Sequence, residues 1–260
     1  MPRRSLASPI TEPARLAGYG NADQRVNIIK EIILMKMSRL YLSALFFLSF
    51  NAAANVVLGG TRMIYDEIKK EANISVSNQD SNKPVLIQTW VENFSSQNKD
   101  EVPLIVTPPL FRLEPEQDNI IRVIYSGAGL PQHKESIYWL SVRSIPSTQR
   151  SKENKLLITV QNRIKILYRP KGLSKKDASE AYKKIRFSLT GDKVEAINPT
   201  PFYVSFYSVA LGGKELKEAD MIAPQSTKAW RAPHGKLDRE IKWQAINDYG
   251  GVTKEIKASL

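Results

Sequence analysis

Few side chains in this 260-residue sequence are of a kind that makes or breaks covalent bonds. There is no cysteine, and the two histidines, His133 and His234, share no ligand spacing with each other or with a carboxylate pair. Neither thiol chemistry nor a metal centre is therefore expected. Glu114 and Glu116 flank Pro115 in a turn-like segment that fits a loop better than an acid and base pair. No G-x-S-x-G elbow or phosphate-binding glycine loop occurs, and Leu211-Gly212-Gly213 is an ordinary turn signal. The expectation is a protein that is not an enzyme and holds no cofactor. What remains is basic and main-chain in character. Residues 155–170, KLLITVQNRIKILYRP, place apolar side chains on every second position and a lysine, Lys165, near the end. Leu156, Ile158 and Val160 share one face, and Thr159, Gln161 and Arg163 share the other. Such a segment can offer its backbone and alternate apolar side chains to another protein. Taken alone, it reads first as a half-buried strand of the chain's own sandwich, and only the rest of the sequence favours the other reading.

The elements around it are strands. NISVS (73–77), VLIQTWV (85–91), IIRVIY (120–125), IYWLSV (137–142) and FYVSFYSV (202–209) are short, β-branched or aromatic, and bounded by Asn, Asp, Gly and Pro clusters. Strands at that spacing predict sandwiches. The helix-like segment KKDASEAYKK (175–184) is charged and lacks an apolar stripe, so it reads as a turn of surface helix or a loop. Trp90 and Trp139 lie inside strand patterns and read as core, while Trp230 and Trp243 are ambiguous. A domain break is expected near Tyr168-Arg169-Pro170, where the long strand ends and a polar link begins.

The start of the chain carries an export pattern. Lys36 and Arg39 form a positive region, LYLSALFFLSF (40–50) an apolar one, and Ala52-Ala53-Ala54 a small-residue cleavage site. The apolar run is shorter than the roughly 20 residues that span a bilayer, so stable membrane insertion is not expected. Residues 35–54 read as a cleavable signal peptide, and residues 1–34 as an upstream extension outside the working protein. Met1, Met35 and Met37 all stand as possible translation starts. Residues 55–260 carry 31 Lys and Arg against 23 Asp and Glu, a net charge of +8. A basic exported protein could meet nucleic acid, an anionic surface or acidic groups. The basic residues are scattered and no nucleic-acid-binding motif is present, so nucleic acid is not an expected partner.

Six motifs fall in one order along the chain: Thr61-Arg62-Met63-Ile64-Tyr65, Thr107-Pro108-Pro109-Leu110-Phe111-Arg112-Leu113-Glu114-Pro115, LPQHKESIYW (130–139) closing on Ile145-Pro146, Arg163 to Pro170, Asn198-Pro199-Thr200-Pro201-Phe202-Tyr203 and Ile246-Asn247-Asp248-Tyr249-Gly250. In that order the sequence resembles the PapD-like periplasmic chaperones of the chaperone–usher pathway, over nearly the whole mature chain. The resemblance implies an all-β protein of two immunoglobulin-like β-sandwich domains set at an angle as an L, residues 55–168 and 169–260. It implies a periplasmic protein that binds pilus or fimbrial subunits by donor-strand complementation and delivers them to an outer-membrane usher. Leu156, Ile158 and Val160 would enter the subunit groove, and Arg62 and Lys165 would anchor the subunit's C-terminal carboxylate. Glu135, Arg169 and Asp248 would form a charged network between the domains. Lys165 has odd parity and the three groove residues even parity, so anchor and groove residues point to different faces unless a bulge intervenes. The short loop 147–154 and the lack of cysteine resemble the short-loop branch of the family, associated with rod-like pili. His133 and Ser141 depart from the family's usual residues. Self-association of the free protein is a further expectation, given an exposed apolar strand. The alternative is a secreted immunoglobulin-like adhesin or carbohydrate-binding module, with aromatic residues on an exposed face.

Overall fold

Strand formation follows from period-2 alternation. A computed structural model of the chain describes Leu34 and residues 56–127, 129–147, 156, 158–235 and 238–260. The expected signal peptide and cleavage site, the upstream extension apart from Leu34, and all but the first residue of the 147–154 loop lie outside the described residues. In order, the first set of strands is β1 (Val56–Leu58), β2 (Arg62–Asp66), β3 (Glu71–Asn78), β4 (Val85–Asn93), β5 (Leu104–Thr107), β6 (Leu110–Leu113), β7 (Asp118–Tyr125), β8 (Ser136–Pro146) and β9 (Val160–Arg169). They form two sheets, β1-β3-β7-β5 and β2-β9-β8-β4-β6. β3 buries Ala72, Ile74, Val76 and Asn78 in strict alternation, and these meet Ile121 and Val123 of β7 and Leu140, Val142, Ile164, Ile166 and Tyr168 of β8 and β9. The one polar member of that row is satisfied: Asn78 Nδ2 donates to the carbonyls of Lys83 and Glu114 at 2.9 and 3.1 Å.

The chain changes sheets between β1 and β2. β1 pairs antiparallel with β3, whereas β2 pairs parallel with β9. Gly59 makes the crossing, donating its N–H to the Ser75 carbonyl at 2.9 Å. A Cβ at Gly59 would lie 2.1 Å from Ser75 Oγ, so a larger residue there fits only if the Ser75 hydroxyl turns away.

After Arg169 come α1 (Lys175–Glu180), capped by Ser174, whose hydroxyl accepts from the Asp177 N–H at 3.0 Å, and a 3-10 turn (Ala181–Lys184). The segment is a surface helix as expected, but its last turn has an apolar side after all. Ala181 and Tyr182 are buried, and Trp243 Nε1 donates to the Tyr182 carbonyl at 2.9 Å. The second set of strands is β10 (Arg186–Thr190), β11 (Lys193–Asn198), β12 (Val204–Leu211), β13 (Lys214–Glu215), β14 (Met221–Ile222), β15 (Ser226–Arg231), β16 (Glu240–Ala245) and β17 (Ile256–Ser259). β10-β11-β15 form one layer and β13-β12-β16-β17, with β14 on β12, the other. Their core holds Val194, Phe202, Phe206, Val209, Trp230 and Trp243.

The tryptophans correct the sequence reading. Trp230 and Trp243 are core residues, 5% and 3% exposed, while Trp90 and Trp139 are only half-buried. Both lie on the outer face of the β9-β8-β4 sheet. Arg143 covers Trp90 at 5.0 Å, Arg163 covers Trp139 at 4.8 Å, and Phe94 stacks on Trp139 at 4.9 Å.

Candidate functional site

β9 is covered by β8 from Tyr168, opposite Ser136, back to Val160, opposite Ser144. On its other side β2 covers only the second half, starting where Arg62 pairs with Lys165 and ending at Asp66 with Arg169. Residues 160–164 therefore have one open edge among the described residues. Leu156 and Ile158 do not extend the strand, contrary to the alternation that starts it at Leu156; the ladder begins at Val160. The next positions on β8 after Ser144 are Ile145 and Pro146, and Pro146 has no N–H to continue it. Leu156, Ile158 and Val160 are 89%, 68% and 54% exposed.

The parity question has a plain answer. The β8–β9 register runs without a bulge, so Lys165 faces away from Ile164 and Ile166, which enter the first core, and away from Val160. On the Lys165 face the rung reads Arg62, Lys165, Trp139 and Glu92 across four strands. Arg62 Nη1 donates to the Ile246 carbonyl at 3.1 Å, and its buried Nε has no partner. Lys165 is half-buried, and its ammonium makes no hydrogen bond or ion pair among the described residues. Burial lowers the Arg62 guanidinium from its ordinary value, against the opposing pull of Asp248. Burial, then the charge of Arg62, lowers the Lys165 ammonium, with Asp220 acting to raise it and Lys228 to lower it. Two partly desolvated cations side by side, each with unused donors, make a site suited to an anion.

The charged network ties the two sandwiches together. Arg169 Nε donates to Glu135 Oε1 at 2.8 Å, and its Nη1 and Nη2 donate to Asp248 Oδ2 and Oδ1 at 2.7 and 3.1 Å. Glu135 Oε2 accepts from the Tyr203 N–H at 2.8 Å, and the Glu135 N–H donates to the Pro201 carbonyl at 2.9 Å. Arg169 and Glu135 are each 2% exposed, and Phe202 lies beneath the guanidinium at 5.6 Å. Burial works against the charge of Arg169, but Asp248 and Glu135 outweigh it and hold the guanidinium charged. Burial also pushes the Glu135 carboxyl up, with Arg169 and the Tyr203 N–H opposing it. Neighbouring Tyr203 is pushed up to about 12 by burial and by Glu135. Arg62, Arg169, Tyr182, Phe202 and Asp248 line a cavity of about 330 Å³ beside this junction.

Eight site residues are expected from the sequence. The structure brings Arg62 and Lys165 onto one rung and Glu135, Arg169 and Asp248 into one network, while the exposed Val160 opens the free edge and the exposed Leu156 and Ile158 lie before it. Overlooked were Glu92, which pairs with Arg163 at 2.9 Å and accepts from the Ser141 hydroxyl at 2.8 Å, and the pair Asp220 and Lys228. The even-residue rows of β4 could have revealed Glu92, because Glu92 stands opposite Trp139. Ser141 is fully buried and His133 exposed.

Two family models match the chain. One, described as pili and flagellar-assembly chaperone, PapD N-terminal domain, spans residues 55–174, and the other, pili assembly chaperone PapD, C-terminal domain, spans residues 180–257. The chain is 39% identical over 231 residues to the probable fimbrial chaperone LpfB of Escherichia coli O157:H7, covering 87% of this chain and 98% of that protein. It is 35% identical over 215 residues to the chaperone protein FocC of Escherichia coli, covering 82% and 93%. Among solved structures it resembles the Salmonella enterica SafA pilin in complex with the SafB chaperone, with a TM-score of 0.68 and 31% identity, over 79% of this chain and 96% of that one.

Proposed function

This chain belongs to the PapD family of pilus-assembly chaperones, and we propose that it captures pilus subunits by lending them a strand edge while clasping their chain end. One observation carries this reading: the open edge of β9 at residues 160–164 runs directly into the rung shared by Arg62 and Lys165. A subunit lacking its last strand exposes a groove and unpaired main-chain groups, which would otherwise aggregate. Pairing with β9 satisfies those groups. Leu156, Ile158 and Val160, already exposed, would fill the groove; burying three such side chains contributes roughly 5 kcal/mol or more before ordering costs. The subunit's C-terminal carboxylate would sit between Arg62 and Lys165, where a cleft reduces screening. That contact fixes register, and a slip of one residue would turn all three apolar side chains out of the groove.

The working protein would act in the periplasm after removal of a signal peptide at residues 35–54, and would pass its subunit to an outer-membrane usher. Among the described residues no helix is long and apolar enough to cross a membrane. The family is one of chaperones, not enzymes. An adhesin or carbohydrate-binding module is not favoured: the half-buried Trp139 is enclosed by Arg163 and Phe94, which leaves its ring little surface for a sugar.

The test is co-expression of the mature chain with a pilin encoded beside it, with and without the double change Arg62→Ala and Lys165→Ala. Soluble one-to-one complex formed only by the unmutated chain is the expected result. A folded monomer that captures no neighbouring pilin would return the protein to the class of orphan immunoglobulin-like binding modules.

A further inference from the structure

Hydrogen bonds and one strand pairing lead from Arg62 into the second sandwich and end on a lysine. Arg62 Nη1 donates to the Ile246 carbonyl at 3.1 Å, and the Ile246 N–H donates to the Ser205 carbonyl at 2.8 Å. Ser205 on β12 is the partner of Met221, the first residue of β14. The Met221 carbonyl accepts from Lys228 Nζ at 3.1 Å, and Asp220, one residue earlier, accepts from the same ammonium at 2.6 Å. Asp220 is itself fixed in place, its carbonyl accepting from the Phe206 N–H at 2.8 Å and its Oδ1 from the Met221 N–H at 2.6 Å. This series of contacts runs from Arg62 through Ile246, Ser205 and Met221 to the pair Asp220 and Lys228. Both charges also reach Lys165, Asp220 favouring its ammonium and Lys228 opposing it.

Lys228 is held but not used up. An ammonium has three donors, and Asp220 and Met221 take two of them. The Lys228 side chain is 42% exposed and that of Asp220 66%, so a carboxylate can reach either side of the pair. Burial pushes the Asp220 carboxyl up, but Lys228 and the Met221 N–H together draw it below the usual carboxylate range, so it stays an anion.

We propose that Lys228 is a third binding residue for the subunit's terminal carboxylate, supplied by the second sandwich, and that Asp220 holds its place as an internal anion until a chain end arrives. The proposal rests on the reading of Arg62 and Lys165 as a carboxylate anchor. Asp220 competes with the guest for Lys228, which weakens capture of stray anions and leaves full engagement to a carboxylate delivered by a paired strand. The chain-end site would then draw one cation from β15 and two from β2 and β9.

The test uses the mature chain and one peptide, the last strand of a neighbouring pilin, made as free acid and as C-terminal amide. Fluorescence anisotropy gives the ratio of the two affinities. In the unmutated protein the acid binds more tightly than the amide. Lys228→Met should lower acid affinity about two- to fivefold, the size of a solvent-exposed ion pair, and leave the amide unchanged. Lys228→Arg should restore the preference, and Asp220→Asn should raise it. An acid-to-amide ratio untouched by Lys228→Met, while Arg62→Ala collapses it, would overturn the role of Lys228 and leave the anchor standing. A ratio near one in the unmutated protein would overturn both. Lys228→Met weakening acid and amide alike would mark Lys228 as structural and also overturn the proposal.

Discussion

Lys165 owes its chemistry to a neighbour it cannot avoid. β2 and β9 pair in parallel with Arg62 opposite Lys165, so burial first and then the charge of Arg62 disfavour the Lys165 ammonium. The ammonium of the free protein thus titrates below the ordinary lysine range, and a bound carboxylate raises it again. By linkage, chain-end affinity is full while the pH stays below the free-state value and falls as pH rises through it. Titrating free-acid peptide binding should show this loss starting at lower pH than an ordinary lysine would give, and Lys165→Arg should flatten the curve because a guanidinium keeps its proton. Equal curves for the two proteins would remove Lys165 as the titrating group. The motifs in the sequence pointed to Arg62 and Lys165, but not to the Ile246 carbonyl that holds Arg62, 184 positions away. The tryptophans misled for a local reason. Period-2 alternation says which residues share a face, not which face is inside, and at β4 the inward position next to Trp90 is the polar Thr89. Thr89 is buried because its hydroxyl donates to the Pro108 carbonyl at 2.7 Å, a bond no alternation rule reveals.

β9 is two strands in one. Its second half is buried on both faces, with Ile166 fully enclosed, and its first half is an exposed edge. Substitutions should separate these parts. Val160→Asp should change thermal stability by no more than about 0.5 kcal/mol, because the side chain meets solvent, yet sharply reduce co-purified pilin by placing a charge in an apolar groove. Ile166→Ala should cost about 2–5 kcal/mol and lower the melting temperature, as expected when a fully buried aliphatic side chain leaves a cavity. Loss of stability with Val160→Asp, seen in denaturant unfolding, would mean that the edge serves the protein's own core. The strand was legible from its alternation, and so were most of its neighbours. Its starting point was not: the ladder to β8 begins at Val160, and the alternating Leu156 and Ile158 lie outside it.

Arg169 carries the connection between the halves, reaching one carboxylate from each. Glu135→Ala should destabilise the protein by about 3–5 kcal/mol, since it leaves a buried guanidinium half-paired. Asp248→Asn keeps the shape and one acceptor and should cost less, but should loosen the orientation of the second sandwich, measurable by residual dipolar couplings. Unchanged orientation and unchanged pilin capture in Asp248→Asn would argue that the network serves stability alone. The sequence motifs named these three residues; the Tyr203 N–H and the Phe202 ring that complete their surroundings come from a loop whose course depends on Asn198, buried and bonded to the carbonyls of Phe202 and Ala223 at 2.8 Å each. The crossing at Gly59 has a last consequence. Because β2 joins β9 only at Arg62 and runs parallel to it, a guest strand in that same lane and direction advances toward Arg62 and meets β2 head-on. The lane is a berth of five residues, about 16 Å long, closed by a buffer stop. A strand that continues beyond the stop has nowhere to go. On the proposed mode of capture the molecule would distinguish a chain's end from its middle by geometry as well as by charge, so a subunit with residues added after its natural terminus should be refused even where every groove contact is intact.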